Sequence, residues 1–156
     1  LKTRKKNIKK KSEKLKKPKV LCVEWIDPLM AAGNWMPEMV DIAGGEDILG
    51  KIGTDSHWIK FEDIQKHDPD FIVFIPCGFD LKKTNYEVKK LLNENDSWKK
   101  LKAFENKNFY VTDGNQYFNR PGPRLIESLE ILAEIIHPNF FDFEHQNNGW
   151  INFFNN

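Results

Sequence analysis

The sequence predicts an α/β domain, a three-layer sandwich around a mostly parallel central sheet, on three observations. Short apolar runs alternate along the chain with stretches of helical periodicity, the pattern of strand–helix–strand units. The runs are nearly continuous rather than alternating, as in strands covered on both faces. The chain has 156 residues, 40% of them hydrophobic, which supplies the core of one ordinary domain and hardly of two.

Residues 1–17 read as a helix, with Leu1, Ile8 and Leu15 recurring every seven residues on an otherwise basic cylinder. Pro18 ends it, because proline disfavours the α conformation in the residue before it. Residues 20–25 (VLCVEW) form the first predicted strand and residues 37–43 (PEMVDIA) a helix stopped by Gly44 and Gly45. Phe61–His67 is a short helix before Pro69, and residues 70–76 (DFIVFIP) are the clearest buried strand. Residues 85–93 read as helix, 98–104 as a shorter helical piece and 108–112 (NFYVT) as a strand. The strongest helix spans 123–136: Pro123 suits the first helical position, six apolar residues from Leu125 to Ile136 make one face, and Pro138 stops it. This divides the chain into a basic helix (1–18), an α/β unit (19–138) and a tail (139–156), rich in Asn and Phe, that wraps an outer face.

Charge is unevenly distributed. Residues 1–19 hold eleven Lys/Arg and one acid, Glu13, a net +10; the remaining residues carry a net −9. The basic segment reads first as a solvated helix end or tail, with a nucleic-acid or anionic-membrane arm as the alternative; any nucleic-acid partner would have to be met by the first nineteen residues, where no aromatic or glycine interleaves the lysines, and none is expected. No apolar run approaches the roughly 20 residues of a membrane-spanning helix. The Lys-rich start is not followed by the apolar segment of an export signal. Beginning at Leu1, the chain reads as a piece of something longer or a processed product. Cys22 and Cys77 each sit in an apolar, strand-like stretch and read as small buried hydrophobes, with a disulfide between them left open.

In a parallel sheet, ligands meet the loops at the carboxyl ends of the strands. Three loops therefore matter. Residues 26–35 are flanked by Trp25 and Trp35, rings that either fold back on the core or cover a ligand. Residues 77–82 open with Cys77, a thiol without any nearby motif that supplies a base, and Gly78, which permits close backbone approach. Residues 113–122 carry Asn115, Tyr117, Phe118 and Arg120 before a helix N-terminus. Arg120 is assigned to ligand contact there, and Arg124 to a surface pair with Glu127. No spacing of His, Cys or acids matches a metal site, and no glycine pattern matches a nucleotide loop.

Three strings, VEWIDPLMAAGNWMPEMVDIAGG, DPDFIVFIPCGFDL and DGNQYFNRPGPRLIESLEILAEIIHP, resemble the carboxyl-terminal lobe of the periplasmic binding proteins that serve ABC transporters for cobalamin, haem and iron-siderophores. The resemblance runs from Lys19 to about Pro138 and is closest to the cobalamin branch. It implies two α/β lobes joined by a long helix, of which residues 1–17 are the end, and an amino-terminal lobe not present in this chain. It further implies a ligand wall of Trp25, Asp27, Trp35, Cys77, Gly78, Phe79, Asn115, Tyr117, Phe118 and Arg120, with Trp58 a possible addition and Glu62 as the docking acid for the membrane permease. The function implied is capture and delivery of a corrinoid such as cobalamin, without catalysis, cofactor or resident metal, at the periplasmic or extracytoplasmic face of the membrane. An iron-siderophore or haem ligand is the nearest rival. An α/β enzyme using Cys77 and an interaction module whose basic helix binds nucleic acid or lipid stand as readings of other classes.

Overall fold

Val, Ile and Phe in unbroken runs leave no polar face to turn to water, so the strands they form must be covered on both sides. The computed structural model, which describes residues 2–118 and 122–155, has this arrangement. Its elements are α1 (Lys2–Ser12), β1 (Lys19–Trp25), β2 (Met30–Ala31), α2 (Met36–Ile42), β3 (Glu46–Asp47), β4 (His57–Trp58), α3 (Phe61–His67), β5 (Phe71–Phe74), α4 (Leu81–Glu94), α5 (Lys102–Glu105), β6 (Phe109–Thr112), α6 (Leu125–Ile136) and β7 (Trp150–Asn152). The sheet order is β4-β2-β1-β5-β6-β7, with β3 paired to the start of β1. Strands β1, β3, β5 and β6 run parallel, in registers such as Cys22↔Val73 and Val73↔Tyr110. The β1–β2, β2–β4 and β6–β7 pairs are antiparallel.

Alternate residues of the three central strands serve opposite layers. Val20, Cys22, Val73, Ile75 and Tyr110 face α1, α2 and α6, meeting Ile8, Met39, Val40, Leu129 and Leu132. Leu21, Val23, Ile72, Phe74, Phe109 and Val111 face α3, α4 and α5, meeting Ile64, Val88, Leu92 and Ala103. The second layer is centred on Trp98, 1% exposed, whose ring lies 5.0 Å from Phe61, 6.2 Å from Phe74 and 6.3 Å from Phe109.

Several boundaries differ from the sequence expectation, each for a local reason. Helix α1 stops at Ser12, well short of Pro18, because the Ser12 hydroxyl turns inward to donate to the Ile42 carbonyl at 2.7 Å. Helix α4 starts four residues earlier than expected, since the Asp80 carboxylate caps it by accepting from the Lys83 amide at 2.8 Å. Helix α6 starts at Leu125, not Pro123. Residues 98–104 divide into a 3₁₀ turn (Asp96–Lys100) and α5. The tail does more than wrap a face: β7 extends the sheet beyond β6, and the buried Glu134 carboxylate holds it by accepting from Trp150 Nε1 at 3.0 Å and the Phe143 amide at 2.9 Å. One expectation for cysteine also changes. Cys22 is buried, as expected, and its thiol is pushed well up by burial and by Asp47; Cys77 is exposed, and both thiols are free. No helix among the described residues is long and apolar enough to cross a membrane.

Two outcomes test this architecture. Trp98→Ala removes the centre of the α3–α5 layer, and the urea midpoint should fall by the equivalent of about 3–5 kcal/mol. In a thiol titration with a disulfide reagent, Cys77 should react at once and Cys22 only on unfolding; simultaneous reaction of both would contradict the burial of β1.

Candidate functional site at the carboxyl edge of the sheet

Because β1, β5 and β6 are parallel neighbours in register, the loops that follow them open side by side on one edge. Trp25, half-buried at the end of β1, meets Phe79 of the next loop with ring centroids 5.3 Å apart, tilted by 56°. The Asn115 amide donates to the Phe79 carbonyl at 3.1 Å, which ties the second loop to the third. Lys83, in the first turn of α4, places its ammonium 4.1 Å from the Phe79 ring centroid. Cys77 and Gly78 are exposed at the tip; Gly78 has φ 78°, and a Cβ there would meet nothing within 4 Å, so the turn's handedness and not crowding requires glycine.

The third loop is shaped from beneath. Asp113, 4% exposed, accepts from the Gln116 backbone amide at 2.9 Å and from its side-chain amide at 2.8 Å. Gln116 Oε1 in turn accepts from Arg124 Nη1 at 3.2 Å, and the Arg124 guanidinium lies 5.5 Å from the Tyr117 ring centroid. The expected Arg124–Glu127 pair is not formed: the guanidinium turns back to the loop, where Gln116 and the Tyr117 ring receive it. Tyr117 is half-buried, with its carbonyl held by the Ser128 hydroxyl and its ring edge-on to His145 at 6.2 Å. Asn115 is exposed beside it.

Other expected wall residues do not converge here. Phe118 is 1% exposed and belongs to the core against α6, so it backs the wall and does not face it. Asp27 and Trp35 leave the first loop toward opposite layers. Asp27 is exposed on the α4 side, lining a depression with Ile59, Glu87 and Lys90. Trp35 packs on the α2–α6 side, in an apolar groove of about 280 Å³ with Met39, Pro123 and Ile126, where its buried Nε1 lacks a hydrogen-bond partner. Trp58, 60% exposed, stands opposite Met30 on the outermost strand. Glu62 is exposed in the first turn of α3. Arg120 lies outside the described residues.

Sequence reasoning missed Lys83, Gln116 and Arg124 as partners of the rings. Asp80 was the available signal for Lys83: read as an N-cap, it would have placed that lysine in the first helical turn above the Phe79 loop. Chemically, the edge offers tilted ring faces, two cations seated on rings, and exposed amides. Among the described residues no group of three His, Cys, Asp or Glu side chains is placed to hold a metal, and no imidazole or carboxylate hydrogen-bonds the Cys77 thiol.

Comparison with known proteins agrees with this geometry. Residues 1–116 match the family model described as "Periplasmic binding protein". A curated relative, the uncharacterized ABC transporter substrate-binding lipoprotein YvrC of Bacillus subtilis, is 31% identical over 111 residues, covering 69% of this chain and 31% of that protein. Staphylococcus aureus IsdE, solved in complex with heme, superposes with a TM-score of 0.73 at 22% identity, over 87% of this chain and 54% of IsdE. The periplasmic vitamin B12 binding protein BtuF of Vibrio cholerae superposes with a TM-score of 0.67 at 14% identity, over 86% of this chain and 50% of BtuF. This chain thus spans about a third of the curated relative and about half of the solved ones. With three parallel strands opening their loops on one edge and a family match over most of its length, the chain belongs to the periplasmic binding protein family.

Proposed function

We propose that the chain is the carboxyl-terminal lobe of the substrate-binding component of an ABC importer, and that it supplies one wall of an interlobe cleft for a corrinoid such as cobalamin. The observation that carries this reading is the Trp25–Phe79 ring pair tied through the Asn115 amide to the Tyr117–Arg124 loop. Ring faces of this kind suit the edge and methyl groups of a wide macrocycle. Asn115 and Gln116 suit the neutral amide arms of a corrin, and the family resemblance assigns Arg120 to ligand contact. Binding moves no covalent bond, so Cys77 contributes surface and no nucleophile.

Within this reading α1 is the end of the helix joining the lobes, and the protein works at the outer face of the membrane, as a lipoprotein relative would. Glu62 is the acid that meets the permease; it is exposed and in no ion pair among the described residues.

The test is a titration of the full-length, two-lobed protein with cobalamin, haemin and a ferric siderophore, followed by tryptophan fluorescence and visible absorption. Cobalamin should quench at micromolar concentration; quenching by haemin or the ferric siderophore alone would transfer the site to that ligand, and silence with all three would end the transport reading. Phe79→Ala and Arg120→Ala should each weaken binding about tenfold, the equivalent of about 1.4 kcal/mol. Arg124→Ala should cost less, because it acts by orienting Tyr117, and Cys77→Ser should leave affinity unchanged. In a reconstituted importer Glu62→Arg should lower uptake while ligand affinity stays as it was.

A further inference from the structure

The charge division of the chain is carried into space by α1. Its described residues are exposed except Ile8 and Ser12; Lys6, Lys9 and Lys10 project to solvent, while Lys2 and Lys5 flank the groove that holds Trp35. Lys14 and Lys16 continue the exposed basic surface beyond the helix. Among the described residues, only Arg4 and Lys17 of this segment are ion-paired, to Glu130 and Asp41. At the helix's far end an apolar element joins the basic one: Lys11 donates to the Phe140 carbonyl and lies 5.0 Å from the Phe141 ring centroid, and the Phe140 ring itself is 48% exposed.

From this we infer that α1 and Phe140 form a docking surface for an anionic phospholipid bilayer. A helix with lysines on its solvent side presents charge to a plane, and each lysine near an anionic membrane adds attraction. An exposed phenylalanine at the end of the helix, reached by Lys11, enters the interfacial region, where aromatic rings are favoured. The rest of the chain, net −9, is repelled by the same surface and orients the basic helix toward it. That acidity disfavours a nucleic acid, which would be held close to the body as well as to the helix; a plane touches the helix alone. The inference is independent of the ligand reading, since α1 and α3 lie on opposite faces of the sheet and no cleft residue is needed.

The experiment is co-sedimentation of the unlipidated protein with vesicles of phosphatidylcholine alone, or with about one-third phosphatidylglycerol. Binding should occur only with phosphatidylglycerol and should vanish in about 1 M salt, where the screening length is about 3 Å. A variant with Lys6, Lys9, Lys10 and Lys14 changed to Gln should lose about fivefold in partitioning per lysine. The same four changed to Arg should bind as well as the parent, and Phe140→Ser should weaken binding while keeping its salt dependence. Circular dichroism confirms that each variant is folded. Equal sedimentation with neutral vesicles, no sedimentation with anionic ones, or displacement from anionic vesicles by a duplex oligonucleotide at equal phosphate concentration would overturn the proposal, the last in favour of a nucleic-acid surface.

Discussion

The in-register parallel pairing of β1, β5 and β6 is the constraint from which the site follows. Each strand gives alternate residues to two helical layers, so a slip of one residue would expose an entire apolar set. Burial on both faces therefore fixes where the three strands end, to within a residue. Where they end, the chain leaves the core at three adjacent points, and the backbone bond from Asn115 to the Phe79 carbonyl then joins two of the three loops. The proposed wall is thus positioned by the core, and the loops contribute only its chemistry.

That core was plain in the sequence because buried strands have an unmistakable composition. The three long runs, VLCVEW, DFIVFIP and NFYVT, all became central strands. What escaped was set by single side chains or by partners distant in sequence. Strands β2, β3 and β4 have two residues each, too few for any periodicity, and exist only because β1 offers an edge to β2 and β3, and β2 in turn to β4. Strand β7 lies beyond two turns rich in Asn, and Glu134 holds it from a helix sixteen residues away. The wall was legible in part. Tyr117 and Phe118 are neighbours of similar character, yet one faces the loop and the other the core, a choice made by α6 and invisible in the loop's composition. Asp27 and Trp35 were grouped because they share a loop, but that loop reverses into β2 and sends them to different layers.

Buried acids on α6 explain how the tail and α1 bear on the wall. Glu130, 2% exposed, receives Arg4 Nε of α1 at 3.2 Å and His145 Nε2 of the tail at 3.1 Å. A carboxylate taken out of water at that depth needs such partners, since an unpaired one would cost several kcal/mol. His145 then presents its ring edge to Tyr117. Helix α1, α6, the tail and the wall ring are in this way a single connected set, and displacement of α1 would reach Tyr117 through two side chains.

The division of the molecule by its sheet separates three kinds of surface. The carboxyl edge holds the rings and the guanidinium; the layer with α3 exposes Glu62; the layer with α1 exposes the lysine row and Phe140. Because α1 and α3 cannot face one plane together, contact of α1 with lipid and contact of Glu62 with a permease would belong to different orientations of the lobe. Neither orientation covers the strand ends directly, since those open along the edge between the layers. A lobe resting on a bilayer through α1 would keep its wall free for ligand, and would have to lift and turn to deliver it. The attraction that holds it must then be weak enough to release, which favours a screened row of lysines with a single exposed ring over a deeply inserted apolar face.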